Sequence, residues 1–434
     1  MTQLHLVILN VLLYGILMLV LARKYGWTNM SSVLALFYFT SAILSYLYYI
    51  FPLYPITYTG MYAHFSLNGC VYTFIYYVLI ITAFRSFNLK NIKEIKNCNV
   101  RIIKYIQVGF LLLMGGYVLI ALPFSIKYFF SGDLASLRDE TYEESTGGTG
   151  MGFRGLVLIW AYLGMTPFVV FIISVVNILL FKNNHKINYY CIALYGLAKL
   201  ERVFGTISRA TIIFTLIEIL VVAIVFSTKL GYWRQKRNII AVSLICVPFL
   251  YNIFANISTS RFSDDKLSSQ LATLRYAGEP FLNFIGLMYP DMREYTYGSS
   301  QFTMIKKHLG LDYDDGKNRE GTTTYNTFLT KKTHYQHPAY IFYGLIGSYY
   351  KEWGFILTII MALAFNLWFR HLFKKKYIVG YMPLITFCVL AAYVAKGIFF
   401  PEYSGSSHNI MFIYLVVFFF AFRKFGHSIK IQKY

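Results

Sequence analysis

A stretch such as LHLVILNVLLYGILMLVLA, residues 4–22, leaves a chain few options. It holds no Asp, Glu, Lys or Arg, and an apolar run of about 18 residues or more has the length of a membrane-crossing helix. Such runs recur at 33–53, 65–84, 105–125, 155–181, 187–205, 210–227, 238–255, 353–369, 377–397 and 409–422. Lipid offers the backbone no hydrogen-bond partner, so each run must close its own hydrogen bonds as a helix. The expected fold is all-α, a polytopic membrane protein of about 11 transmembrane helices. Only 14% of the 434 residues are charged, against about 25% in a soluble domain. No basic segment precedes residues 4–22, which therefore read as an uncleaved span rather than a signal peptide.

The formal net charge of +21 suggests nucleic acid until its placement is read. Basic residues gather after alternate spans, at Arg23-Lys24, Arg85 to Lys104, Lys182 and Lys186, Lys229 to Arg237, Arg370 to Lys376, and Arg423 to Lys433. More than half of the 40 Lys and Arg lie there, with Glu94 as the sole carboxylate. The positive-inside rule makes that side cytoplasmic, with the N-terminus outside and the C-terminus inside. The charge is thus a topology signal, and no nucleic-acid partner is expected. The expected organisation is eight spans over 1–255 with an acidic outer loop at 126–154, a large outer loop with a re-entrant segment over 256–352, and three spans with a basic tail over 353–434. The piece 338–350 is too short to cross, and Lys351-Glu352 interrupts before the next run. It reads as a re-entrant or interfacial helix, or as an outward extension of the next span.

Three features carry possible chemistry. Lys199, Arg202 and Arg209 stand at i, i+3 and i+10, which on helical spacing is one face. Charges at that depth are costly and usually face a bundle interior or wet cavity. They could clamp a phosphate, since guanidinium binds phosphate bidentately. Alternatively, the first two snorkel to the headgroups, or Glu201 pairs with one of them. Glu218 is either functional or paired with a buried cation. In the large outer loop, RYAGEPFLNF places Arg275, Tyr276 and Glu279 together. Arg275 could bind an anion, Tyr276 could stack on a sugar, and Glu279 could take a proton from a hydroxyl. The competing reading is a solvated loop with a helix starting at Pro280. His334 and His337 could supply a base or orient a phosphate. No HExxH, CxxC pair, P-loop or GxGxxG is present, so no metal and no cofactor are expected. The five cysteines, Cys70, Cys98, Cys191, Cys246 and Cys388, form no disulfide framework.

At this point the chain resembles the oligosaccharide repeat unit polymerases, the O-antigen polymerase (Wzy-type) family. GTISRATIIFTLIEIL (205–220) resembles the family's short Gly/Ser-Arg turn into a span, and YAGEPFLNF (276–284) its tyrosine-to-proline stretch. TTYNTFL (323–329) and YYKEWGF (349–355) resemble its Asn-Thr and Tyr–acid–aromatic–Gly elements. HYQHPAYIFYGLIG (334–347) is similar to the His-bearing outer loop of the related ligases. The likeness runs from about 200 to 356, while the first 180 residues match in architecture alone. The family's Arg-x10-Gly spacing recurs only as Arg275 to Gly286, and Arg138 has Thr149 at that place.

The resemblance implies a GT-C-like architecture in the bacterial inner (plasma) membrane. It implies a glycosyltransferase that moves a growing glycan from undecaprenyl pyrophosphate onto a new lipid-linked repeat unit at the outer face. Arg209 and Arg275 would grip the pyrophosphate with help from Lys199 and Arg202. Glu279 or His337 would be the base, while Tyr276 and His334 would bind substrate. Arg138 would contact the second lipid-linked oligosaccharide. Membrane lipid and a chain-length regulator protein are the other implied partners. Two further functions stay open: a ligase moving finished glycan to a lipid or protein acceptor, and a lipid-linked oligosaccharide flippase.

Overall fold

A computed structural model describes residues 2–50, 65–131, 166–183, 185–206, 209–227, 274, 278–289, 295, 306, 309–311, 343–374, 377–399 and 406–430. Of these, 84% are helical. The helices are α1 (Gln3–Tyr25), α2 (Met30–Ile50), α3 (Leu67–Ala83), α4 (Val100–Ser131), α5 (Thr166–Leu180), α6 (Lys186–Thr206), α7 (Arg209–Val225), α8 (Gly344–Leu372), α9 (Tyr381–Lys396) and α10 (Ser406–Phe425). Every expected span overlaps one of them except 238–255, which lies outside the described residues, as do 51–53 and 155–165 of two others. Among the described residues, five helical stretches are long and apolar enough to cross a membrane: Gln3–Tyr25, Met30–Ile50, Leu67–Asn91, Val100–Pro123 and Gly344–Leu372. Their outward faces stay apolar, as with Leu119 (79% exposed) on α4 and Ile16 (59%) on α1. In water such faces would mark a partner surface, and on a spanning helix they face lipid.

Contacts divide the chain into two compact units. One comprises 1–88, 270–374 and 391–409, and the other 89–269, 375–390 and 410–434. In the first, α1 packs along α2, and α3 packs on α8. Arg23 and Lys24 sit in the last turn of α1, where they complement the helix dipole. Ser66 caps α3 by accepting the Gly69 N–H at 3.0 Å. Asn366 of α8 donates to the Leu79 carbonyl and, at 3.0 Å, to Thr82 Oγ1, so a side-chain amide ties these two apolar helices.

Helix α8 is interrupted at Gly354, where φ is +71° and ψ −170°. A Cβ there would lie 2.8 Å from the Tyr295 ring, so only glycine satisfies both the backbone and the space. A short helical piece thus precedes the longer run of α8, and residues 338–342 of the segment 338–350 lie outside the described residues.

In the second unit α4, α5 and α6 share a buried amide network. Gln107 Nε2 donates to Ser174 Oγ (2.9 Å) and to Asn188 Oδ1 (2.7 Å). Asn177 Nδ2 donates to the same Asn188 oxygen at 3.1 Å, and Asn188 Nδ2 donates to the Asn183 carbonyl at 2.8 Å. All four side chains are at most 3% exposed. Around them pack Phe110, Met114, Val170 and Cys191.

The all-α expectation needs one addition. Strands β1 (Glu94–Cys98), β2 (Ile378–Gly380) and β3 (His427–Lys430) form a sheet in the order β2-β1-β3. β1 runs parallel to β2 with Ile95 opposite Val379, and antiparallel to β3 with Ile95 opposite Ile429. Asn97 (φ +55°) lies within the bulge that shifts register between Ile95 and Cys98.

Candidate functional site

Within the first unit, residues 278–289 form a helical segment that ends in a π turn over Phe284–Met288. Of the competing reading, the helix after Pro280 is present, but the stretch is not solvated. Leu282, Phe284 and Ile285 are fully buried, and Glu279 and Asn283 are each 2% exposed. The segment enters against α2. Ser45 Oγ donates to the Gly278 carbonyl at 2.8 Å, and a Cβ on Gly278 would stand 2.6 Å from the Leu44 carbonyl oxygen. Backbone approaches backbone this closely only because Gly278 has no side chain.

A cavity of about 20 Å³ lies beside this segment, enough for about one water. Asn10 and Tyr14 face it from α1, Tyr38 and Ser41 from α2, and Thr73 and Tyr77 from α3, while Pro280, Phe281 and Phe284 close one side. The tyrosines form one cluster, with the Tyr38 and Tyr77 centroids 4.3 Å apart. Tyr38 donates to the Val394 carbonyl at 2.9 Å, and the Tyr77 hydroxyl accepts the Ile346 N–H at 3.4 Å. Asn10 Nδ2 is buried and has no hydrogen-bond partner among the described residues. A buried polar atom usually has one, so Asn10 leaves a donor on the cavity wall that the described residues do not satisfy.

The start of α8 forms the far wall. Gly344 (φ +65°) brings the backbone near the Tyr77 hydroxyl, and the Leu345 N–H donates to the Gly397 carbonyl at 2.7 Å. Around this junction the unit buries several charges: Lys351 (9% exposed), Glu352 (1%) and Lys396 (5%). Tyr343, which lines the cavity ahead of α8, has its hydroxyl pushed up to about 12, by burial first and then by the Glu352 carboxylate. Tyr343 therefore stays a neutral hydrogen-bond donor across the biological range.

The second unit holds the cations of α6. Lys199 Nζ lies 2.9 Å from Glu218 Oε2 on α7, and that oxygen also accepts the Tyr195 hydroxyl at 2.6 Å. Of the two readings for Glu218, the structure has the buried carboxylate paired with a cation, the half-buried Lys199. Glu201 is buried, and Ser125 Oγ donates to it at 3.1 Å. The shared-face argument holds only for Lys199 and Arg202. Helix α6 ends at Thr206 and Arg209 is the first residue of α7, so the i+10 spacing does not lie within one helix and carries no face relation.

Of the residues singled out by sequence, Glu279, Lys199, Arg202 and the backbone of Arg209 are described. Arg138, Arg275, Tyr276, His334 and His337 lie outside the described residues. Sequence reasoning passed over Asn10, Lys396 and the Lys351-Glu352 pair as site residues. The signal was there for Lys396, a lone cation inside the apolar run 377–397, and for Asn10, a lone amide inside 4–22. No protein-family model, curated protein or solved structure matches the chain.

Proposed function

We propose that the chain is a membrane-embedded glycosyltransferase that polymerises polyprenyl-pyrophosphate-linked repeat units. It would work at the outer face of the bacterial plasma membrane, with about 11 spans, GT-C-like architecture, N-terminus outside and C-terminus inside. The observation that carries the reading is that one unit buries four charged residues, Glu279, Lys351, Glu352 and Lys396, three of them within a few residues in sequence of the cavity-lining Pro280, Ile398 and Ile346. Ionisable groups buried among spanning helices are costly and mark sites.

The chemistry follows from the compartment. Outside the cytoplasm there is no ATP, so the energy lies in the sugar–pyrophosphate bond. The acceptor hydroxyl loses its proton to a base, with Glu279 the first candidate and His337 the second. The oxygen attacks the anomeric carbon, the bond to pyrophosphate breaks, and cations stabilise the departing charge. Arg209 and Arg275 are assigned to that role, Arg202 assists, and Lys199 supports through its pairing with Glu218. Tyr276, His334 and Arg138 are assigned to substrate contacts. Undecaprenyl-pyrophosphate-linked oligosaccharide is the proposed substrate and a chain-length regulator the proposed partner.

Deleting the gene and separating the surface glycan on a gel tests this reading. Single-repeat glycan is the expected result. Capless lipid with accumulated polymer would instead assign a ligase, and loss of all outer-face repeats would assign a flippase. If Arg209→Ala and Arg275→Ala both left polymer length and amount unchanged, the pyrophosphate clamp would be wrong.

A further inference from the structure

The sheet β2-β1-β3 joins three segments that are far apart in sequence, and each strand abuts a helix end. β1 stops at Cys98, just before α4 begins at Val100. β2 runs directly into α9, and β3 begins just after α10 ends at Phe425. Asn99 ties two of these ends together. Its Oδ1 accepts the N–H groups of Arg101 (3.0 Å) and Ile102 (3.2 Å), capping α4, while its Nδ2 donates to the Phe425 carbonyl at 2.6 Å. Because α4 is a spanning helix by length and composition, a strand joined to its end sits within a few residues of the hydrocarbon edge, at headgroup level.

The composition of this surface is one-sided. Ile95 and Val379 turn inward, whereas Lys93, Lys96, Arg101, Lys104, Arg423 and Lys424 are exposed. Glu94 is the only carboxylate in 89–105, 377–381 and 423–433. Aromatic rings are exposed beside the cations: Tyr105 at 74%, Tyr377 at 55% and Phe425 at 53%. The Lys93 ammonium lies 4.9 Å from the Tyr377 ring centroid. Rings of this kind settle among headgroups, and clustered Lys and Arg at a span's end attract anionic lipid.

We propose that this sheet and its flanking cations are a binding platform for anionic phospholipid headgroups. Arg101 would take a headgroup phosphate through two parallel N–H groups, and Lys93 and Lys96 would add point charges. The strand pairing matters because it holds Lys93 and Lys96 in place before lipid arrives, so less freedom is lost on binding. Lys93 and Glu94 both donate their backbone N–H to the Tyr377 carbonyl, which fixes the approach to β1. This inference is independent of the glycan reading.

The test uses the full chain in nanodiscs of phosphatidylcholine with phosphatidylglycerol. Native mass spectrometry after release reads the phosphatidylglycerol retained. Lys93→Gln/Lys96→Gln/Arg101→Gln is expected to weaken retention about 100-fold, the effect of losing three headgroup charges. Lys182→Gln/Lys186→Gln, which removes charge from the α5–α6 connection, is expected to retain lipid as the parent does. Lys93→Arg/Lys96→Arg is expected to keep retention. The exposed single change Lys96→Gln should lose a several-fold share, and it decides the matter if the triple variant does not fold. Equal loss in both charge-removed variants, or no loss in the triple variant, would overturn the proposal. So would displacement of the lipid by inorganic phosphate, which would mark a free-phosphate site.

Discussion

The two units bury polar groups in opposite ways. In the second, Gln107, Ser174, Asn177 and Asn188 spend their hydrogen bonds on one another, and apolar side chains close around them. In the first, Asn10 presents an amide nitrogen to a cavity wall without a partner among the described residues, close to a unit-wide set of buried charges. A closed network specifies how helices meet. An open polar wall weakens the fold and persists where a ligand completes it. On the proposed function, the contrast assigns scaffold to the amide network of α4, α5 and α6 and chemistry to the wall beside 278–289, while the cations of α6 and α7 keep their proposed clamp role; each assignment can be broken separately.

The largest stability effect is expected at Lys199. Lys199→Met takes the cation away from the buried Glu218 carboxylate, and breaking a buried pair from one side costs about 3–5 kcal/mol. Thermal unfolding in detergent should show the loss, and Lys199→Met/Glu218→Leu should recover most of it. A double variant as unstable as the single one would mean that the pair is not what holds α6 to α7.

Gly278→Ala comes next. Its methyl group would press on the Leu44 carbonyl oxygen and the Tyr48 Cβ, which are fixed by α2. Overpacking of this kind costs about 1–3 kcal/mol. The same melting experiment reads it, with a fall in polymer per folded molecule as the segment 278–289 shifts. An unchanged melt would show that the segment has room to move.

A paired substitution sharpens the contrast itself. Asn188→Leu strands the Gln107 and Asn177 donors and should cost about 1–2 kcal/mol, with activity per folded molecule intact. Asn10→Leu removes a donor that the described chain does not use. Its stability should change by less than about 0.5 kcal/mol or rise, while activity falls. The reverse pattern in melting and polymer yield would exchange the two roles.

The mildest expected effect is at Cys98. Burial pushes its thiol up to about 12, so little thiolate forms near neutral pH. A single-cysteine variant keeping Cys98 should resist maleimide in the folded protein and react once it is unfolded. Prompt labelling of the folded protein would show the β1 corner open.

The helices were legible because hydropathy over a span is a strong, local signal, and α1 through α4 lie where the apolar runs put them. The break at Gly354 was half legible, since Lys351-Glu352 interrupted the run but did not mark the residue that bends. The sheet was not legible. β1 is EIKNC, with little alternation, and its partners lie in two distant segments, so nothing local announces the pairing. The helical spacing of Arg209 from Lys199 carries no information, because the two residues belong to different helices. Lys396 was hidden by the apolar run around it, and Asn10 by its own.

On the proposed function, the buried acid Glu279 serves chemistry and not folding. Glu279→Gln keeps the shape and removes the charge. Supplied in a deletion strain at parental protein level and melting temperature, it should leave single-repeat glycan and lower polymer formation by about 100-fold, as loss of a general base does. A full-length glycan ladder from that strain would contradict the account.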